Sequence, residues 1–173
     1  MKNTKTHLAT GLTLALLMTL GLAATADAAS GRLHVRSTNG SATAVAGGGQ
    51  IAARGRTTKQ NEDGSVTTSS GGVYVNGNGS RAGRVSTATV NPDGSASREG
   101  GFKASGGKGT LSSSGKSSRS ADGEGSGTRT TTATSSSTGN TYEGSATYSK
   151  KGGVTHTGVC KDASGAEITC PRP

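Results

Sequence analysis

A fifteen-residue repeat in the middle of the chain decides the fold. Its four clearest units are NEDGSVTTSSGGVYV (61–75), NGNGSRAGRVSTATV (76–90), NPDGSASREGGFKAS (91–105) and GGKGTLSSSGKSSRS (106–120). The fourth place of each unit is glycine, and serine or threonine follows it. The repeat is clear from residue 61 to 110 and weak elsewhere. Glycine is common in this chain, but four consecutive units of this form are hard to obtain by chance.

Each unit carries the chemistry of a tight turn. Asp-Gly and Asn-Gly pairs favour turns because glycine, and less strongly Asn or Asp, tolerates positive φ. The segment Asn91-Pro92-Asp93-Gly94 predicts a type I turn followed by a left-handed glycine, with proline setting φ at the second position. Glycines near the middle of the units, such as Gly71-Gly72 and Gly100-Gly101, predict a second turn. Turns every seven or eight residues imply short strands.

The segments between these turns favour β-structure. Val73-Tyr74-Val75 and the stretch VSTATV (85–90) are rich in β-branched residues, and no window shows helical periodicity. The pattern predicts an all-β, low-complexity, antiparallel β-meander of short strands. The alternative is a β-solenoid with one coil per repeat, which would need a buried aliphatic residue at one place in every coil. The sixth place holds Val66, Arg81, Ala96 and Leu111, so we favour the meander.

The apolar composition allows only a thin core. Residues 29–173 include nine Val, two Leu, two Ile and one Phe, about a tenth of that segment. This fraction is below the roughly 20% at which disorder becomes the default expectation. Between Leu111 and Val154 no aliphatic residue is larger than alanine. We therefore expect the chain to be partly disordered.

Residues 1–28 have the three parts of a cleaved secretory signal peptide. Lys2 and Lys5 precede an apolar run at 14–22, and a small-residue stretch ends in Ala26-Asp27-Ala28. The apolar run is far shorter than the roughly 20 residues that span a bilayer, and we find no second hydrophobic segment. The sequence predicts cleavage before Ala29, no membrane span, and a protein that is periplasmic, extracellular or at the cell surface.

The two cysteines, Cys160 and Cys170, flank a turn-rich segment. An even number of cysteines in an oxidising compartment favours a disulfide. A structural zinc site would need three or four ligands, and His156 is the only other candidate nearby, so no metal is expected. The predicted organisation is a signal peptide (1–28), a Gly/Ala-rich segment (29–60), a Gly/Ser/Thr-rich β-repeat region (61–153) and a disulfide-closed C-terminal hairpin (154–173).

The motifs that resemble active sites are incomplete. Gly115-Lys116-Ser117 has the end of a phosphate-binding loop, but Thr110 occupies the position where that loop needs its first glycine. The stretch that begins at Asp122 has the early spacing of a calcium-binding EF-hand, but Ala133 stands where a carboxylate is required. After the signal peptide, only His34 and His156 are bases near neutral pH. We expect no enzyme activity and no cofactor.

The charge is the main functional signal. The formal charge of +9 becomes +8 when Lys2, Lys5 and Asp27 are removed with the signal peptide. Dispersed cations suit non-specific attraction to anionic polysaccharide, lipopolysaccharide or extracellular DNA. One Phe, three Tyr and no Trp predict no stacking platform for bases. A charge that serves solubility alone is the competing interpretation. The predicted polyanion contacts are Arg81, Arg84, Lys108, Lys116, Lys150 and Lys151.

These features favour an exported, non-catalytic structural, matrix or adhesion-type protein that contacts anionic surface polymers and is compatible with self-association. The second hypothesis is a small periplasmic binding module. The third is an ice-interacting surface, because Thr130, Thr132 and Thr134 project from one side of an extended strand. The corresponding places of other units hold Ser, Gly or Arg, which predicts that no regular array forms.

We predict that the mature chain begins at Ala29. Terminal sequencing of protein recovered from the envelope or the medium should show this residue, because signal peptidase cuts after small side chains such as Ala26 and Ala28. A chain in the envelope fraction that still begins with Met1 would contradict the signal peptide.

Overall fold

A computed structural model describes residues 30–170 of the chain. The predicted signal peptide (1–28) and its cleavage site lie outside these residues. Eleven strands follow one another, and no helix occurs within the described range. The strands are β1 (Gly31–Ser37), β2 (Gly40–Gly47), β3 (Gln50–Gln60), β4 (Val66–Asn76), β5 (Arg81–Val90), β6 (Ala96–Gly106), β7 (Gly109–Arg119), β8 (Gly125–Ser135), β9 (Thr141–Ser149), β10 (Gly153–Lys161) and β11 (Glu167–Ile168).

The strands form one open sheet in chain order, β1 to β11, and every neighbouring pair is antiparallel. The all-β class and the antiparallel meander are confirmed. A β-solenoid would stack its coils through parallel strands, and within residues 30–170 no parallel pair occurs. Each strand is joined to the next by a short turn, so successive turns lie at opposite ends of the sheet.

The turns have the geometry that the Asp-Gly and Asn-Gly pairs predict. At residues 91–95 the amide of Gly94 donates to the carbonyl of Asn91 at 3.0 Å, and the amide of Asn91 donates to the carbonyl of Ser95 at 2.9 Å. Gly94 has a φ of +84°, which a residue with a side chain adopts only at a cost. The predicted type I turn followed by a left-handed glycine is therefore confirmed. The same pair of hydrogen bonds closes residues 61–65.

The prediction of a second set of turns, at the mid-unit glycines, is wrong. Gly71-Gly72 lie inside β4 and Gly100-Gly101 inside β6, so these strands have 11 residues each and are not short. These glycines serve close backbone approach instead of chain reversal. A Cβ atom on Gly100 would lie 2.7 Å from the carbonyl oxygen of Val85, and one on Gly101 would lie 2.8 Å from that of Ser113.

No second layer covers the described sheet. Cys160 is its only buried hydrophobic residue, and Ser65 and Ser113 are its buried polar residues. Composition predicted a thin core. The described sheet is a single layer and encloses no interior. The prediction of partial disorder does not hold for β7, β8 and β9, which are regular strands. They form although no aliphatic residue after Leu111 in this segment is larger than alanine. Backbone ladders and hydroxyl pairs, such as Ser114 and Thr130 at 3.1 Å, hold them together.

The predicted disulfide is confirmed. Cys160 and Cys170 are bonded, with their Cα atoms 5.2 Å apart. Cys160 lies near the end of β10 and pairs with Ile168 of the two-residue strand β11. The disulfide therefore ties the shortest strand to the sheet, where two register pairs would hold it only weakly.

The mid-strand glycines generate a stability prediction. Gly100→Ala should destabilise the protein by about 1–3 kcal/mol, because the new methyl group would collide with the backbone of β5. Gly83→Ala is the matched control: a Cβ at Gly83 meets nothing nearer than 3.8 Å, and alanine loses less entropy on folding, so stability should stay equal or rise. Urea unfolding measures the free energy of unfolding of both variants. Equal destabilisation of the two would contradict this strand geometry.

Candidate polyanion-binding face

The register divides the strand side chains between two faces. Residues directly opposite each other on neighbouring strands project to the same side, and successive residues alternate. We call the side that bears Tyr74, Arg84 and Phe102 the arginine face. We call the side that bears Val73, Ser114 and Thr130 the hydroxyl face.

Eight of the nine arginines within residues 30–170 project from the arginine face, and all eight are exposed. No aspartate, glutamate or lysine of any described strand shares that face. None of the eight forms an ion pair with a described residue. The face therefore presents unneutralised positive charge. Its arginines are Arg32, Arg36, Arg54, Arg56, Arg84, Arg98, Arg119 and Arg129.

The hydroxyl face carries both signs of charge. Its cations are Lys59, Arg81, Lys103, Lys116 and Lys161, and its anions are Glu99, Glu143 and Glu167. The Nζ atom of Lys161 lies 2.8 Å from a carboxylate oxygen of Glu143. This hydrogen bond and the charge of Glu143 raise the pKa of Lys161. The strand charges on the arginine face are thus all positive, whereas those on the hydroxyl face are of both signs.

The remaining carboxylates lie in the turns, where the four aspartates among them accept hydrogen bonds from nearby serines. Ser95 donates its hydroxyl and its amide to Asp93 at 2.7 and 2.8 Å, and these bonds lower the pKa of Asp93. Hydrogen bonds from Ser65 lower the pKa of Asp63 in the same way. Such a carboxylate stabilises the fold above the ordinary aspartate pKa, and this contribution is lost as pH falls through the lowered folded value. Six of the nine described carboxylates are therefore kept in turns: Glu62, Asp63, Asp93, Asp122, Glu124 and Asp162.

A shallow open groove of about 700 Å³ crosses the middle of the arginine face. Small residues leave room for it, because Gly100 and Gly115 pair directly and Arg129 comes next in the same row. Glu99 and Lys116, which project from the other face, also border this space. On the arginine face it is lined by Ser70, Arg84, Ser86, Arg98, Gly100, Phe102, Ser113, Gly115, Ser117, Gly127, Arg129, Ala146, Tyr148 and Val154.

Serines hold two of the groove arginines in place. The Nε atom of Arg129 donates to Ser113 Oγ at 2.8 Å, and Ser113 Oγ donates in turn to the carbonyl of Thr130 at 2.8 Å. The Nε atom of Arg98 donates to the Oγ atom of Ser86 at 3.2 Å. Each guanidinium is oriented through Nε, and its two terminal nitrogens can still bind a carboxylate, sulfate or phosphate as a fork.

All four aromatic residues within residues 30–170 also lie on the arginine face: Tyr74, Phe102, Tyr142 and Tyr148. The three tyrosines are exposed, with Tyr148 at 49%. Four aromatic residues are few for a stacking surface, but the register gathers all four on one side of the sheet. Arginine and tyrosine are the residue types that enrich binding interfaces, and here they occupy the same side.

The six predicted contact residues do not come together. Arg84 lines the groove, whereas Arg81 and Lys116 project from the hydroxyl face. Lys108 lies in the turn between β6 and β7, and Lys150 and Lys151 lie in the turn between β9 and β10, at the opposite end of the sheet. Sequence reasoning treated Arg54, Arg56, Arg98 and Arg129 only as dispersed charges. With the turns placed correctly, counting alternate residues along each strand would have assigned these four arginines to one face.

Comparison of the chain with family models, with curated proteins and with solved structures finds no match. Between residues 30 and 170 no helix is long and apolar enough to cross a membrane. Over the same range no three His, Cys, Asp or Glu side chains gather as metal ligands would.

Proposed function

We propose that this protein is an exported, non-catalytic structural or matrix component that binds an anionic polysaccharide through its arginine face. The observation that carries the proposal is the placement of eight exposed arginines on one face, from which no carboxylate of a described strand projects. The disulfide between Cys160 and Cys170 is compatible with an oxidising compartment outside the cytoplasm.

The size of the charged face favours a polymer over a small ligand. The arginines extend from β1 to β8, which is seven strand spacings of about 4.8 Å, or roughly 34 Å. Cations spread over that length match repeated anionic groups along a chain. Exposed tyrosines between them offer flat apolar surface for sugar rings, as Tyr148 does beside the groove. A binding surface of this kind needs no catalytic residue and no enclosed pocket.

The proposal predicts that heparin binding depends on which face carries the charge. Replacing Arg84, Arg98 and Arg129 with glutamine should lower the salt concentration of elution from heparin and reduce the slope of log K against log salt by roughly 2–3. The matched control replaces Lys59, Arg81 and Lys103 with glutamine, which removes the same charge from the hydroxyl face, away from the groove, and should change elution little.

Equal losses in the two triple variants would mean that net charge alone drives binding, and would contradict an arginine-face site. Retention of the parent that resists high salt would point to a specific pocket instead of electrostatic binding. Competition with duplex DNA completes the measurement. DNA that displaces heparin at equal charge concentration would assign the face to polyanions in general and not to polysaccharide.

A second candidate function is ice binding by the hydroxyl face. On β7, β8 and β9, thirteen of the fifteen positions on this face are Ser or Thr, and the exceptions are Lys116 and Glu143. The antiparallel register places Ser114 and Ser145 beside Thr130, and both carry the hydroxyl group that such an array needs. The hydroxyl groups repeat at about 4.8 Å across strands and about 6.8 Å along them. Hydroxyl groups repeated at such spacings can order water.

Inhibition of ice recrystallisation tests this second candidate. Thr132→Lys places a charge within the array and should abolish inhibition by the parent. Ser117→Lys is the matched control, because Ser117 is an exposed residue of the arginine face and its replacement should leave inhibition unchanged. A parent protein without any inhibition would rule out ice binding.

A further inference from the structure

The hydroxyl face carries an apolar patch on its N-terminal strands. From β1 to β5, three adjacent rows of this face hold only aliphatic residues and glycine, apart from Arg81 at one corner. Apart from Arg81, none of these side chains carries a polar group or a charge. We call it the N-terminal patch, and it consists of Gly31, Leu33, Val35, Ala42, Ala44, Ala46, Ile51, Ala53, Gly55, Gly71, Val73, Val75, Gly83 and Val85.

Nothing within residues 30–170 covers this patch. Leu33 is 64% exposed, Val35 53% and Val73 45%. A sheet usually buries its apolar face against a second layer, and this sheet has none. Contiguous apolar surface of this extent on a soluble protein marks an interaction site.

We infer that the N-terminal patch is a dimer interface at which a second copy of this chain packs face to face. Two apolar sheet faces pack on each other, aligned at about 10 Å, through interdigitating side chains. A two-fold axis through the patch would let each copy present the same surface to the other. The dimer would supply the missing second layer to both copies at once.

The charge distribution favours this occupant. The chain has a formal charge of +9, so two copies repel each other wherever charged surfaces meet. The N-terminal patch is free of charge across β1 to β4, and its charged neighbours are at the β5 end, where Arg81 occupies one corner and Lys103 of β6 lies opposite Gly83. Pairing through it also turns the two arginine faces away from each other. It is thus the arrangement that brings apolar surfaces together at the smallest electrostatic cost.

The area is adequate for a specific contact. Five strands at about 4.8 Å by three rows at about 6.8 Å give a footprint of roughly 24 by 20 Å, or about 500 Å². Two copies therefore bury on the order of 1,000 Å² before the margin is counted, which reaches the size expected of a specific interface. The inference does not depend on polyanion binding by the arginine face.

Light scattering coupled to size exclusion tests the interface on the mature protein. The parent should be a dimer at micromolar concentration. Val73→Lys should raise the dissociation constant at least tenfold, because it buries a charge at the centre of the contact. Val90→Lys is the matched control: Val90 is 50% exposed on the arginine face, so the dimer should persist. A parent that remains monomeric at hundreds of micromolar, or a Val73→Lys variant that still dimerises, overturns the inference.

A second pair of variants guards against a folding defect in Val73→Lys. The described cysteines are bonded to each other, so an added cysteine supplies the reactive thiol. Ala44→Cys on the patch should give a covalent dimer with a short bis-maleimide, and Ala52→Cys on the arginine face should not. Crosslinking that is equal at the two positions would contradict a face-to-face dimer.

Discussion

The backbone hydrogen-bond ladder between successive antiparallel strands is the interaction on which this structure depends. In most domains the ladder works together with a buried core, but the described residues bury a single hydrophobic side chain, Cys160. Each strand is paired only with its neighbours in the chain, from β1 to β11. Stability is therefore built from local hairpins, and the small side chains of the repeats suffice because they need not fill an interior. The close backbone contacts at Gly100 and Gly101 belong to the same constraint.

The strand register determines which side chains share a face of the sheet. A slip of one residue between two strands would move every side chain of a strand to the other face. The turns prevent such a slip: Asp93 and Gly94 close one hairpin through bonds that only one alignment allows. The same turns hold most of the carboxylates. Most described carboxylates thus lie at the ends of the strands, and no carboxylate of a described strand projects from the arginine face.

A single-layer sheet exposes both faces, and this chain gives them different chemistry. One face carries arginines and aromatic residues, with Arg98 and Arg129 oriented by serines. The other changes along the sheet from the N-terminal patch to the hydroxyl array of β7 to β9. Wide, shallow, distinct surfaces suit contact with polymers, with crystalline surfaces or with a second copy.

Sequence alone determined the features that depend on a few adjacent residues. The turn at 91–95, the β class and the pairing of Cys160 with Cys170 all follow from local conformational preferences or from cysteine count. The middle of the strands was misread, because Gly100-Gly101 has the composition of a turn whether the chain reverses or passes close to its neighbour. Of the six polyanion contacts predicted from sequence, only Arg84 projects from the arginine face. Only the tertiary structure decided that Arg84, Arg98 and Arg129 share one face while Arg81 and Lys116 lie on the other, because the face of a side chain depends on the register across every intervening hairpin.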